Sequence, residues 1–201
     1  MKKFLMLVII VAIGLNLVSA QAPGGSNEDT SGGFAHGGWH MAYMEDEVAR
    51  EWVLRGILEA EGFLLGRRTY EIFAAYWPNA PAEEQVIADP LNSKPKHVAS
   101  TTLAEPLAWQ NSSLLDGDVG PAVAALKQAG DGEVHVIGST ELVRTLIEHN
   151  LLDELRLMID PVLLGGGKRI FQDDGVLRRW RLSDGRIAST GAILATYIPE
   201  T

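Results

Sequence analysis

Glu133-Val134-His135-Val136-Ile137-Gly138-Ser139-Thr140-Glu141 is the stretch that decides the fold. Glu133 to Ile137 alternates in the manner of a β-strand, Gly138 and Ser139 break the run, and Gly138-Ser139-Thr140 opens a helix that continues through His149. A strand that turns into a helix at small residues is the repeating unit of an α/β sheet. The unit recurs upstream. Gly62-Phe63-Leu64-Leu65 reads as a short buried strand ending at Gly66, and a helix begins near Thr69 and closes at Tyr76-Trp77-Pro78, because proline does not readily continue a helix. His97-Val98-Ala99 reads as a further strand that stops at Ser100-Thr101.

Working outward, residues 45–60 predict an amphipathic helix, with Val48, Trp52, Ile57 and Ala60 recurring among charged neighbours. Residues 78–95, rich in Pro and Ala, predict irregular structure. Residues 121–129 predict a helix ended by Gly130. Leu155 to Ile159 predicts a strand, and Pro161 to Gly167 a strand end with a glycine turn. Arg178 to Ser183 and Ala192 to Ile198 predict a late antiparallel pair. Strands alternating with helices, then a strand-only tail, describe an α/β fold with a mainly parallel sheet, helices on both faces and antiparallel C-terminal strands.

Two readings stay open at the N-terminus. Lys2 and Lys3, the apolar run from Phe4 to Ile13, and Val18-Ser19-Ala20 before Gln21 have the layout of a secretory signal peptide, which implies export. The same Phe4 to Val11 is rich in β-branched residues, as a central parallel strand covered on both faces would be. That reading implies a cytoplasmic protein. Residues 21–40 form a Gly-, Ser- and Pro-rich loop carrying Phe34, His36 and Trp39, aromatic groups suited to covering a ligand or to docking one surface loop. Residues 21–201 make a single domain.

Composition narrows the function. The 201 residues are 46% hydrophobic and 21% charged, with a net charge of −9. An acidic surface argues against general binding to nucleic-acid backbones. No cysteine is present, which excludes a disulfide framework, a cysteine–zinc site and a thiol nucleophile. The histidines at 36, 40, 97, 135 and 149 lack H-E-x-x-H spacing, so no metal site is expected. There is no G-x-G-x-x-G fingerprint and no G-x-S-x-G elbow, and Gly165-Gly166-Gly167-Lys168 is followed by Arg169, not Ser or Thr. Stable membrane insertion is not expected either, because Gly14 and Asn16 interrupt the apolar run.

The chemistry concentrates in three turns: Gly66-Arg67-Arg68-Thr69, Ser100-Thr101-Thr102 and Gly138-Ser139-Thr140-Glu141. Each lies where a strand ends, and in open α/β sheets ligands bind beyond the carboxyl ends of the strands. Two of them open helices, whose N-termini present free N–H groups and partial positive charge to phosphate. Arg67 and Arg68 add fixed positive charge. Any one such turn also reads as an ordinary Ser/Thr cap beside solvated arginines; three on one sheet edge favour a ligand.

The chain resembles the dihydrofolate reductase-like family that includes the C-terminal domain of the bacterial riboflavin-biosynthesis deaminase-reductase. The likeness is carried by Gly66-Arg67-Arg68-Thr69-Tyr70-Glu71, by Asn92 to Leu103, and by Val136-Ile137-Gly138-Ser139, Leu142, Leu146, Leu151, Asp153-Glu154-Leu155, Pro161-Val162-Leu163-Leu164-Gly165, Gly167 and Phe171. The resemblance implies a three-layer α/β/α sandwich, NADPH as cofactor, and hydride transfer to a small heterocyclic substrate, as in 5-amino-6-(5-phosphoribosylamino)uracil reductase. It further implies a homodimer. Carried over, Gly66, Arg67 and Thr69 would hold cofactor phosphate, Ser100 and Thr101 would lie near the adenosine end, and Gly138, Ser139 and Thr140 would cradle the pyrophosphate. No catalytic residue is assigned; Glu28 and Asp29 of the long loop are candidates that read equally as surface charges. One departure bears on catalysis: where the family carries a Ser-Leu-Asp-Gly-like turn after its first strand, this chain has Leu15-Asn16-Leu17-Val18. The alternative is a non-catalytic nucleotide-binding homologue. A bifunctional enzyme is excluded, because the deaminase zinc motif is absent.

Overall fold

A computed structural model describes residues 3–9, 39–129, 132–164, 170–171 and 174–200. The expectations for Leu15-Asn16-Leu17-Val18, Glu28, Asp29, Phe34, His36, Gly130 and Gly165 to Arg169 concern positions outside those residues.

Strands buried on both faces form the middle of the sheet. Strand β2, Gly62–Gly66, is buried along four of its five residues, and β5, Glu133–Ile137, from Val134 onward. The alternation expected of β5 is not what burial follows: both of its faces are covered, as a central parallel strand requires. Phe63, Leu65, Val98, Ile137 and Met158 pack on one side against α1 (Glu47–Glu59), α2 (Arg67–Tyr76) and α3 (Gln85–Ser93). Leu64, Val134, Val136, Leu155 and Leu157 pack on the other side against Val123 of α4 (Val119–Gln128) and Leu142, Val143 and Leu146 of α5 (Thr140–Glu148). The result is the three-layer α/β/α sandwich.

The remaining strands are β1 (Lys3–Ile9), β3 (Lys96–Ala99), β4 (Ser112–Leu114), β6 (Glu154–Ile159), β7 (Trp180–Ile187) and β8 (Ile193–Pro199). One sheet runs β4-β3-β2-β5-β1-β6-β8-β7. The first six in that order are parallel; β8 is antiparallel to β6 and to β7. The apolar N-terminal run therefore holds a central slot. Leu7 of β1 pairs with Ile137 on one side and Arg156 on the other. The register puts the carboxyl ends of β1, β2, β3, β5 and β6 on one edge, and the β7–β8 turn joins them there, since Ile187 and Ile159 both pair with Ile193.

Three elements depart from the sequence reading. Residues 85–93 are helical, although 78–95 read as irregular. Proline at 90 removes one backbone donor, but Ala88 and Leu91 are buried and the helix end is held from outside. The fully buried Lys96 ammonium donates to the carbonyls of Leu91, Asn92 and Lys94 at 2.8, 3.2 and 2.9 Å and sits 4.4 Å above the Trp109 ring. Strand β4 has only three residues, too few to show a period. Residues 39–43, of which Trp39 and His40 were expected to end the long loop, form a 3₁₀ turn leading toward α1.

Candidate functional site at the carboxyl edge

Two helix N-termini open side by side on the carboxyl edge. Strands β2 and β5 are neighbours; β2 passes directly into α2 at Arg67, and β5 into α5 at Thr140 through Gly138 and Ser139. The start of α2 is two residues earlier than the sequence reading placed it. Neither helix has a side-chain cap at its N-cap residue, Gly66 or Ser139. The uncapped first turns leave N–H groups directed at whatever lies beyond the edge.

Ser139 explains the geometry. Gly138 and Ser139 lie in succession in the left-handed region, at φ of 59° and 54°. Serine there is strained, by about 1 kcal/mol or more. Its side chain consequently turns across to β2 instead of capping α5. The Ser139 hydroxyl accepts from the Gly66 N–H at 2.9 Å, and its single hydrogen is shared between Thr69 Oγ1 at 3.0 Å and the Ile137 carbonyl at 3.1 Å. This clasp joins Gly66, Thr69 and Ser139, residues of two turns about seventy positions apart in the chain. A Cβ at Gly66 would stand 3.4 Å from both Cβ and Oγ of Ser139, in van der Waals contact with the clasp.

The other expected site residues lie along the same edge with different partners. Arg67 is half-buried, and its guanidinium meets the Glu71 carboxylate at 3.0 and 3.1 Å across one turn of α2. Arg68 is exposed. Ser100 follows β3, one strand beyond Gly66, but its hydroxyl is occupied by its own turn, accepting from the Thr102 and Leu103 N–H groups at 3.1 and 3.0 Å. Thr101 is exposed beside it. Thr140 is the first residue of α5. All eight residues thus border the ends of β3, β2 and β5, and the hydrogen bonds draw Gly66, Thr69 and Ser139 together.

Sequence reasoning missed the other half of the edge. Asp160 follows β6 directly, and its Oδ2 accepts from His40 Nδ1 at 2.6 Å, both side chains being buried. Burial pushes the Asp160 carboxyl up, against the opposing pull of His40. Nearby, Asp46 caps α1 through the Ala49 N–H at 3.0 Å and accepts from the Ser189 backbone at 2.7 Å, tying α1 to the β7–β8 turn. The Ser189 hydroxyl also donates to Asp46, and these bonds lower the Asp46 pKa. His40 and Asp160 are 120 positions apart, and no spacing rule connects them. A cavity of about 350 Å³ lies elsewhere, beside α5, lined by Ile147, Phe171, Val176, Leu177 and Trp180 among others. Among the described residues no three His, Cys, Asp or Glu side chains are grouped to hold a metal ion, and no helix is long and apolar enough to cross a membrane.

With this edge established, likeness to known proteins becomes decisive. The sequence profile of the RibD C-terminal domain matches residues 30–194. The chain belongs to the RibD C-terminal domain family. Among curated relatives, uncharacterized protein YyaP of Bacillus subtilis strain 168 is 28% identical over 141 residues, 69% of this chain and 74% of YyaP. Solved structures show the RibD-like fold at lower identity. A Shewanella sp. PV-4 protein named for riboflavin biosynthesis matches with a TM-score of 0.65 and 18% identity over all of both chains. A pyrimidine reductase-like protein of Corynebacterium diphtheriae matches with a TM-score of 0.60 and 13% identity, over all of this chain and 92% of that one. RibD of Acinetobacter baumannii matches with a TM-score of 0.55 and 15% identity, 76% of this chain covering 50% of it.

Proposed function

We propose that this protein is an NADPH-dependent reductase of the riboflavin-biosynthesis type, transferring hydride to a small heterocyclic substrate. The carrying observation is the pair of uncapped helix N-termini held together by Ser139 at the carboxyl ends of adjacent central strands. Backbone N–H groups from two helices suit a pyrophosphate, and the positive ends of both dipoles add to the attraction. The residues fit the cofactor. Gly138, Ser139 and Thr140 hold the pyrophosphate, Gly66 and Thr69 line its other side, and Ser100 and Thr101 border the adenosine end. Arg67 meets the additional phosphate that distinguishes NADPH. Its bond to Glu71 is an exposed pair, which costs little to exchange for phosphate. Bound there, NADPH supplies the hydride; the protein supplies position and electrostatics.

Family membership and the RibD-like neighbours support the reductase class, and the proposal extends it to cofactor and substrate. NADPH use places the protein in the cytoplasm, and its partners are the small-molecule substrate and a second copy of itself. The test is stopped-flow oxidation of NADPH with 5-amino-6-(5-phosphoribosylamino)uracil. Oxidation that depends on the pyrimidine is expected; failure to bind NADPH contradicts the proposal. Binding without turnover selects a second reading, a non-catalytic nucleotide-binding homologue, which Leu15-Asn16-Leu17-Val18 favours because it replaces the Asp-Gly turn of the family.

A further inference from the structure

At the end of β6 the paired side chains of His40 and Asp160 each keep one buried polar atom without a hydrogen-bond partner, His40 Nε2 and Asp160 Oδ1, and Thr190 Oγ1 of the β7–β8 turn is buried and unpartnered as well. His40 is 3% exposed and Asp160 1%. A buried polar group left unpaired costs about 1–3 kcal/mol, so native structures seldom keep several together without a ligand or water to satisfy them. Thr190 belongs to the β7–β8 turn, and its neighbour Gly191 lies against Pro161, the residue after Asp160: a Cβ at Gly191 would stand 3.4 Å from the Pro161 ring. The β7–β8 turn thus packs beside the end of β6, where His40 of the 3₁₀ turn meets Asp160.

Its position in the sheet matters. Asp160 follows β6 and Gly138 follows β5, with β1 alone between them. Adjacent strands are about 4.8 Å apart, so the two ends are separated by roughly 10 Å along the edge. That is the span of a ribose and a ring extending from a phosphate held at Gly138. The His40–Asp160 pair lies at the end of the edge where a reacting ring and its substrate would meet.

We propose that His40, oriented by Asp160, delivers the proton that accompanies hydride transfer, a role resting on the reductase reading above. Asp160 Oδ2 accepts from Nδ1–H and fixes the imidazole, which leaves Nε2 as the group that carries the transferable proton in the imidazolium form. Hydride from NADPH adds to the electrophilic carbon of a C=N or C=O unit, and the π pair moves to the heteroatom. That atom takes the proton from His40 Nε2. NADP⁺, the reduced substrate and neutral His40 result, and His40 regains its proton from solvent. Asp160 is a positioning residue: it touches His40, not the substrate.

The experiment compares the full-length wild type with His40→Gln and Asp160→Asn, using NADPH and 5-amino-6-(5-phosphoribosylamino)uracil as probes, with thermal melts to establish folding. His40→Gln should keep its NADPH affinity and lose roughly a hundredfold or more in kcat, the usual contribution of a general acid. Long-range ¹H–¹⁵N spectra of the imidazoles provide a readout independent of turnover. The His40 Nε2 resonance should move when the pyrimidine is added to NADP⁺-loaded wild type, and Asp160→Asn should alter the His40 tautomer balance without pyrimidine. A folded His40→Gln that turns over at the wild-type rate, or an Nε2 resonance indifferent to the pyrimidine, overturns the assignment of His40 alone. A wild type that oxidises no NADPH overturns the reductase reading, and the proton donor with it.

Discussion

Gly138 and Ser139 show how little side chain the proposed phosphate cradle needs. Glycine at φ 59° carries no Cβ penalty and leaves the backbone open to close approach. Gly138→Val would place a β-branched residue in the left-handed region and a side chain at the mouth of the cradle. Fluorescence titration should find NADPH binding weakened roughly tenfold or more in the folded variant, from strain of about 1–2 kcal/mol together with blocked approach. Unchanged affinity would remove this turn from the site. Arg67 belongs to the same scale. Because Glu71 is its present partner on the surface, losing the arginine should matter little to the empty protein. Arg67→Ala should weaken NADPH roughly tenfold while leaving NADH nearly unaffected, since only NADPH offers the additional phosphate. Equal losses for the two cofactors would place Arg67 elsewhere.

Among elements, the α3–β3 junction illustrates structure held from beyond its own sequence. Residues 85–93 contain Pro90 and look like a poor helix in isolation. The end of that helix is secured by Lys96, one strand residue whose ammonium reaches three carbonyls, while Asn92 accepts from Trp109 Nε1 at 2.7 Å and donates to the Trp77 carbonyl at 2.9 Å. Burial pushes the Lys96 pKa down to about 8, still high enough to keep the group charged at neutral pH. Lys96→Met would keep the apolar stem and strand the carbonyls. Urea denaturation should record a loss of about 2–4 kcal/mol, the usual cost of leaving buried polar partners unpaired. A loss near zero would mean that solvent reaches the helix end. The contrast with β2 and β5 explains what could be read beforehand. Gly62 to Gly66 announces itself by contiguous apolar residues and Glu133 to Ile137 by alternation, each run being bounded by glycine. Residues 85–93 and 112–114 depend on partners brought by the fold, and a local window contains none of those partners.

At the scale of the whole molecule, the sheet is organised around β1. It lies between β5 and β6 and separates the turns proposed for the cofactor from the His40–Asp160 pair. The turns at Gly66, Ser100 and Gly138 were legible because each combines a strand end with small polar residues. That Ser139 would bind across to Gly66 and Thr69 was not, since left-handed serine is set by the turn as folded. His40 and Asp160 were invisible for a related reason: one lies in a 3₁₀ turn within a glycine-rich stretch, the other at a strand end, and only the closed sheet brings them to 2.6 Å. Removing residues 1–20 should therefore do more than shorten the chain. It would take out a strand paired on both sides, exposing unpaired backbone groups of β5 and β6. Expression of residues 21–201 should yield an insoluble or molten product by solubility and near-ultraviolet circular dichroism. A soluble truncation that unfolds cooperatively would contradict this and favour export of a chain without its first strand.

The central claim, that the clasped ends of β2 and β5 form a dinucleotide phosphate cradle, meets its most direct test in backbone amide NMR during titration with NADPH. The account predicts saturable shifts led by Gly66, Arg67, Gly138, Ser139 and Thr140, whose N–H groups lie at the two helix starts. Absence of saturable binding, or shifts centred instead on Ile147, Phe171 and Trp180 around the cavity beside α5, would contradict it.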